Sequence, residues 1–310
     1  MKIKRFLPLI GILIFIYLLI KLDLSEIIQE IKNANLFLLF IALFFVFLVL
    51  ITETLKWFVI ARKQEIKIPF KDAFKINLIT NFYSFITPSK LGTILRVEYL
   101  KKYTQNRGRG FSNFVLDKFL DIFSIFFLAI IFSILIGKDL EIIPISLLIT
   151  IFLTGILLFL LFIKKDRSKP ILRIFYIYLV PKKIKERARK AFDSFYEKIP
   201  KKREFLLFSV FNMFNWIVIY FVTYIIGVSL GINLPFYYFL AILSIGTIIA
   251  LIPITINGLG TREATLITLF SLFGLGSAKV FSMSLLTFIL YGIIPAIIGS
   301  FLSIKNKGWE

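Results

Sequence analysis

From Phe205 to Thr261 the chain carries no charged side chain, and then Arg262 and Glu263 stand side by side in "INGLGTREATL". A charge deep in apolar surroundings costs roughly 2.5–3.5 kcal/mol unless a partner or water meets it. Two arrangements would meet that need. The residues form a structural pair at an interface, or each faces its own partner around a polar cavity. Adjacent helical side chains diverge by about 100°, so the second arrangement is the expectation. Gly258 and Gly260 let the backbone break just before the charges, and the exposed N–H groups of a helix start attract an anion.

Asp117 and Asp121 are four residues apart and share one helix face; Lys118 lies one position off it. Such carboxylates could hold a proton, a cation or Arg262, or simply stay wet at a helix end. Two aspartates without further ligands are too few for a metal site, and none is expected. Glu53 and Lys56, three apart, suit a local ion pair. Asn77 and Asn81 either stitch helices together or line a cavity. The chain has no histidine and no cysteine, which removes the commonest general base, the commonest metal ligand and all thiol chemistry. It has no Gly-x-x-x-x-Gly-Lys-Ser/Thr element for nucleotide phosphates. No cofactor and no enzymatic activity are expected.

The glycine break has an echo. "ITPSKLGT" (86–93) and "ITINGLGT" (254–261) agree at five of eight positions, 168 residues apart, each near a proline (Pro88, Pro253) and each followed by arginine and glutamate. In the first copy these are Arg96 and Glu98. With Lys90 and Gly92 they are candidates to meet an anionic headgroup, although an ordinary basic loop accounts equally well for Lys90. Interrupted apolar segments at matching places in two halves point to a transporter binding site.

The elements that position these residues are membrane spans. The chain is 58% hydrophobic and 17% aromatic with mean hydropathy +0.89, and Ile142–Ile163 and Val280–Ile304 carry no charge. Such runs exceed the roughly 18 residues that suggest a span. The expected fold is all-α: a polytopic helical membrane protein of about seven to eight spans, two dipping segments and an internal repeat. Long helices are expected near 6–20, 36–59, 113–136, 142–163, 205–230, 236–252 and 280–304, with shorter ones at 76–88 and 264–275. The first is read as an uncleaved helix, since no small-x-small cleavage site follows it. The whole chain, 1–310, reads as one integral membrane domain: half one at about 1–163, a basic loop at 164–204, and half two at 205–310.

Loop charge orients the spans. Residues 1–5, 62–75, 89–110 and 164–204 are net basic, the last with fifteen basic against five acidic residues; 21–35 and 137–141 are net acidic and 229–235 uncharged. The basic loops and both termini are therefore expected on the cytoplasmic side of the cell membrane. Both flanks of 76–88 are basic, so that piece dips and returns. The second dip would enter from the opposite side, which favours an inverted repeat over a parallel one. Ile184, Ala188, Ala191, Phe192, Phe195 and Ile199 recur at helical spacing among basic residues, which suits an amphipathic helix on the inner surface. The tract at 171–180 is too short to span and is expected to embed beside it. The net charge of +20 is read as positive-inside bias and attraction to anionic lipid, with no nucleic-acid partner.

"NFYSFITPSKLGTILRVEYLKK" (81–102), "LDKFLDIF" (116–123) and "PITINGLGTREATLITLFSLFGL" (253–275) resemble the flippase-like family, the membrane region of lysylphosphatidylglycerol synthases. The resemblance runs over roughly 10–303, and its most specific element is Gly-Leu-Gly-x-Arg-Glu at 258–263. It implies movement of a lipid or lipid-linked sugar between leaflets, with anionic or polyprenyl-phosphate lipids as partners. Pro253-Ile-Thr-Ile-Asn departs from a more glycine-rich form. The soluble aminoacyl-transfer domain of the synthases has no counterpart here, so lysyl transfer is not expected. The rival readings are a membrane transferase acting on a lipid phosphate and a scaffold of envelope assembly.

Overall fold

Asn35 opens the first long helix by accepting hydrogen bonds from the backbone of Phe37 and Leu38 at 3.0 and 3.2 Å, the expected role of an N-cap asparagine. The computed structural model describes residues 7–87, 91–104, 107–137, 144–163, 165–167, 185–197, 199–252, 255 and 258–305. In chain order the helices are α1 (Leu7–Lys21), α2 (Leu24–Lys32), α3 (Leu36–Lys63), α4 (Phe70–Phe85), a 3₁₀ turn (Leu91–Leu95), α5 (Arg96–Leu100), α6 (Arg107–Ile136), α7 (Ile145–Phe162), α8 (Lys185–Tyr196) and α9 (Lys202–Ser229). Then follow α10 (Phe236–Leu251), α11 (Thr261–Ser271), α12 (Ser277–Thr287), a π-helical turn (Phe288–Ile293) and α13 (Ile294–Lys305). The described residues include no strand. This is a polytopic α-helical membrane protein.

Among the described residues five segments are long and apolar enough to cross a bilayer: α3, α6, α7, α9 and the continuous stretch Ser277–Lys305. The remaining apolar helices are shorter. The described part of α1 has 15 residues, and α4 and α10 have 16 each. At 1.5 Å per residue these reach roughly 22–24 Å against about 30 Å of hydrocarbon.

The two halves repeat one plan. A 28-residue helix (α3, α9) leads to a 16-residue helix (α4, α10), then a chain break, a short helix begun near an arginine (α5, α11), and a long span. The halves interlock. The most extensive packing joins α3 to α9, α4 to α13 and α10 to α6, so each 16-residue helix lies against the long span of the other half. Direction follows from the ends of α3 and α9. Asn35 donates its N–H to the Ser229 carbonyl at 2.8 Å, Thr52 meets Asn215 at 2.7 Å, and Lys63 meets Glu204 at 3.1 Å. The matching helices run antiparallel, which is the mark of an inverted repeat.

Connections sort to two ends. At one, Arg109 bridges Glu65 and Glu197, and the Tyr196 hydroxyl donates to the Phe162 carbonyl at 2.8 Å. Within the stretch 184–199 a helix forms as α8, seated against α6 with Phe195 beside Phe111; Ile184 and the 171–180 tract lie outside the described residues. At the other end sits α2, a helix within the stretch read as a loop. Asp23 caps it by accepting from Ser25 N–H. Its fully buried Ile27 packs on Ala278 and Phe281 of α12, and Lys279 faces Glu30 at 3.8 Å.

Candidate functional site: a charged cavity joined to an apolar chamber

Both chain breaks are fixed by a threonine from the repeated octet. Thr87 Oγ1 accepts the Gly92 N–H at 2.7 Å, and Thr255 Oγ1 meets Thr261 Oγ1 at 3.2 Å. Gly92 presses on the preceding helix so closely that a Cβ there would lie 2.2 Å from the Tyr83 carbonyl. In the second break Gly258 and Gly260 hold φ of 75° and 81°, the left-handed region that glycine enters without steric cost. A Cβ on Gly258 would also stand 2.4 Å from that of Ala250. Glu263 then closes the start of α11 by accepting the Gly260 N–H at 2.6 Å.

Arg262 lies in the first turn of α11, and here one expectation is overturned. Arg262 and Glu263 do pair: the guanidinium donates to Glu263 Oε1 through Nη2 at 3.0 Å and Nε at 3.2 Å. Ser284 of α12 joins them, accepting from Arg262 at 3.0 Å and donating to Glu263 at 2.9 Å. The long arginine side chain curls back across the helix end, so the angle between adjacent Cβ vectors does not separate the charges. Glu263 is buried and the arginine side chain is 23% exposed.

A second cluster lies on α6. Lys56 of α3 reaches in to hydrogen-bond Asp121 and sits 3.2 Å from Asp117. Arg96 donates to Asp117 at 2.7 Å and stacks over the Trp57 ring, 4.7 Å from its centroid. Asp121 also accepts from Lys118 and from the Trp216 indole, each at 3.1 Å. The two aspartates are buried rather than wet, and their partner is Lys56 rather than Arg262. The local Glu53–Lys56 pair is not formed. Lys56 is drawn to two carboxylates across the helix interface, and Glu53 instead accepts from Asn81 at 3.1 Å and the Tyr291 hydroxyl at 2.5 Å.

These clusters line two adjoining cavities, together the hollow of the site. A polar cavity of about 110 Å³ touches Glu53, Lys56, Asn77, Asn81, Arg96, Asp117 and the Arg262 side chain. Beside it lies a chamber of about 380 Å³ walled largely by apolar side chains, including Ile122, Ile125, Leu243, Leu251 and Leu266. Lys118, Asp121, Trp216, Arg262 and Tyr291 belong to both. The carboxylates paired to Arg262 and Arg96 are 3% and 2% exposed, whereas Arg262 and Lys118 are 23% and 33% exposed. The most exposed of these charges at the junction are therefore the cations Arg262 and Lys118, with Asp121 beside them and Glu263 and Asp117 behind.

Not every candidate reaches the hollow. Glu98 is exposed and pairs with Lys101 one turn on. Gly92, Gly258 and Gly260 shape the breaks. Pro88 and Lys90 lie outside the described residues. The residues missed from sequence are Lys56 and Glu53 as cavity groups, Trp216, Ser284 and Tyr291. Lys56 and Glu53 signalled themselves as charges inside apolar α3, whereas Tyr291 is aimed by a π-turn that hydropathy does not register. Among the described residues no group of three or more acidic side chains is arranged to hold a metal ion.

Residues 8–299 match the family described as the lysylphosphatidylglycerol synthase TM region. A UPF0104 membrane protein of Pyrococcus horikoshii is 22% identical, over 98% of this chain and 97% of its own. A second, from Methanothermobacter thermautotrophicus, is 29% identical over 34% of this chain and 30% of its own. With the match spanning both halves of the repeat and both chain breaks, the chain belongs to the lysylphosphatidylglycerol synthase transmembrane-region family.

Proposed function

We propose that this protein moves an anionic-headgroup lipid, of phospholipid or polyprenyl-phosphate type, between the leaflets of the cell membrane. One observation carries the reading: a small charged cavity adjoins a larger apolar chamber, and the cations Arg262 and Lys118 line both. A lipid has that division, with a phosphate at one end and hydrocarbon at the other. Arginine suits the phosphate because its planar fork donates two parallel hydrogen bonds, and the apolar walls suit the chains.

The inverted repeat suits the task. In this reading α4 with α5 and α10 with α11 are dips entering from opposite sides, each too short to cross and each ending in a glycine break. The stretch 236–252, expected as a full span, becomes the descending arm of the second dip. Irregular backbone at that depth is tolerated where it lines a cavity. Net basic loops support a cytoplasmic side for both termini and 164–204. Transport rather than chemistry is supported by a site whose carboxylates are mostly tied in ion pairs.

The test is leaflet exchange in proteoliposomes. Purified protein in phosphatidylcholine vesicles containing acyl-labelled phosphatidylglycerol should expose inner-leaflet label to dithionite many times faster than protein-free vesicles. Equal rates would remove the reading, and headgroup transfer without exchange would favour the transferase.

A further inference from the structure

Of the four carboxylates around the hollow, three are held by cations: Asp117 by Arg96 and Lys56, Asp121 by Lys56 and Lys118, and Glu263 by Arg262. Glu53 is different. Its two oxygens are met by neutral donors, the Asn81 amide and the Tyr291 hydroxyl, and among the described residues it forms no salt bridge. Lys56, one turn along α3, is committed to the aspartates.

We infer that Glu53 is the proton-accepting group of the cavity, and that it takes up a proton as the anionic headgroup enters. The inference rests on the lipid-moving reading for the identity of the guest. The groups facing Glu53 are Lys56 on its own helix, Arg96 of α5, and Asp117, Lys118 and Asp121 of α6. Tyr220 of α9, Arg262 with Glu263 behind it, and Tyr291 complete the set. With phenols neutral, four cations oppose four carboxylates and the hollow is balanced. An anionic phosphate brings a charge that this arrangement does not offset. Protonating Glu53 restores the balance, because one negative charge is removed as another arrives. The other carboxylates could do so only by breaking an ion pair already formed with Lys56, Arg96, Lys118 or Arg262.

Local hydrogen bonding supports both states. With Glu53 ionised, Tyr291 donates to Oε1. When water supplies a proton and an O–H bond forms there, the phenol oxygen accepts it, since a tyrosine hydroxyl serves in either role. The π-turn at Phe288–Ile293 places that hydroxyl on the carboxylate, and Asn81 continues to donate to Oε2.

The test reads the carboxyl group directly. Infrared difference spectra between phosphatidylcholine vesicles with and without phosphatidylglycerol are recorded on the embedded protein at one pH, in salt high enough to screen the vesicle surface. The expected result is a protonated-carboxyl band that appears with phosphatidylglycerol and is absent without it. Glu53→Gln should abolish it in a protein of unchanged helicity. Tyr291→Phe should keep it at a higher stretching frequency, because one hydrogen bond is gone. A band of wild-type intensity in Glu53→Gln, or a spectrum indifferent to phosphatidylglycerol, overturns the inference. Loss of leaflet exchange with these spectra intact would overturn the lipid-moving reading and leave the proton site standing.

Discussion

Lys63, the last residue of α3, meets Glu204 in the first turn of α9 at 3.1 Å. The same two helices join again at Asn35 and Ser229, their opposite ends. Corresponding helices of the two halves thus lie side by side and run in opposite directions. In a protein without native cysteine, Lys63→Cys with Glu204→Cys should cross-link with a short bifunctional reagent, and Lys63→Cys with Ser229→Cys should not. Cross-linking of the second pair would mean a parallel arrangement and undo the inverted repeat.

Arg262 is expected to be the residue on which exchange depends most. Arg262→Ala should lower the leaflet-exchange rate at least tenfold, about 1.4 kcal/mol or more, while the protein remains monodisperse. Arg262→Lys should retain part of the rate, because the charge stays and the planar fork is lost. A folded Arg262→Ala protein exchanging lipid at the wild-type rate would remove Arg262 from the site.

Asp117 holds Arg96, whose side chain is 4% exposed. Asp117→Asn strands that guanidinium and should cost about 3–5 kcal/mol of stability. Adding Arg96→Met removes the stranded charge and should recover much of the loss. Thermal unfolding in detergent measures both, and strictly additive effects would show that the two residues are not energetically coupled.

Gly258 and Gly155 give a paired test of the second break. Gly258→Ala places a methyl against Ala250 at a φ of 75°, a strained position costing on the order of 1–3 kcal/mol. At Gly155 in α7 a methyl would meet no atom within 4 Å, so alanine there should be neutral or slightly stabilising. Equal melting temperatures for the two variants would contradict the geometry of the break.

Tyr103 lies in the connection between α5 and α6. Partial burial pushes its phenol up from the ordinary value, and its hydrogen bond to the Asp72 carboxylate adds to the shift. A raised acid favours its protonated form in the fold. The stabilising contribution is therefore complete below about pH 10, the unfolded value, and fades as pH rises from there toward the folded value. Tyr103→Phe should flatten the alkaline fall in stability, and an unchanged alkaline limb would mean that this phenol does not titrate with unfolding.

The apolar runs and the repeated octet made the helical class, the broad helix positions and the second break legible from sequence. They were visible because burial in lipid leaves long uncharged runs, and because the left-handed turn before α11 favours glycine. The partners of the charges were not legible. Sequence spacing suggested Glu53 with Lys56, but side chains choose partners across helix interfaces, and Asp117 and Asp121 lie 61 and 65 positions from Lys56. Helix α2 was passed over because its polar face lowers the mean hydropathy, although Leu24, Ile27, Ile28 and Ile31 already had helical spacing. Tyr291 was hidden for a further reason: a π-turn adds a residue to the turn and re-aims whatever follows.

Lys56 and Asp121 also set a problem of timing. A ribosome working at about 5–20 residues per second needs roughly 3–13 s to pass from one to the other, and they are 65 residues apart. During that interval α3 waits with an ammonium group whose final partners have not been made, a cost of roughly 2.5–3.5 kcal/mol at mid-membrane on insertion scales. The apolar length of α3 offsets it: the helix has 28 residues, and Leu36–Thr52 runs without a single charge. The surplus greasiness of this helix is thus tied to the order of synthesis: α3 must enter the membrane on its own merits, before the charge it carries has anything to hold.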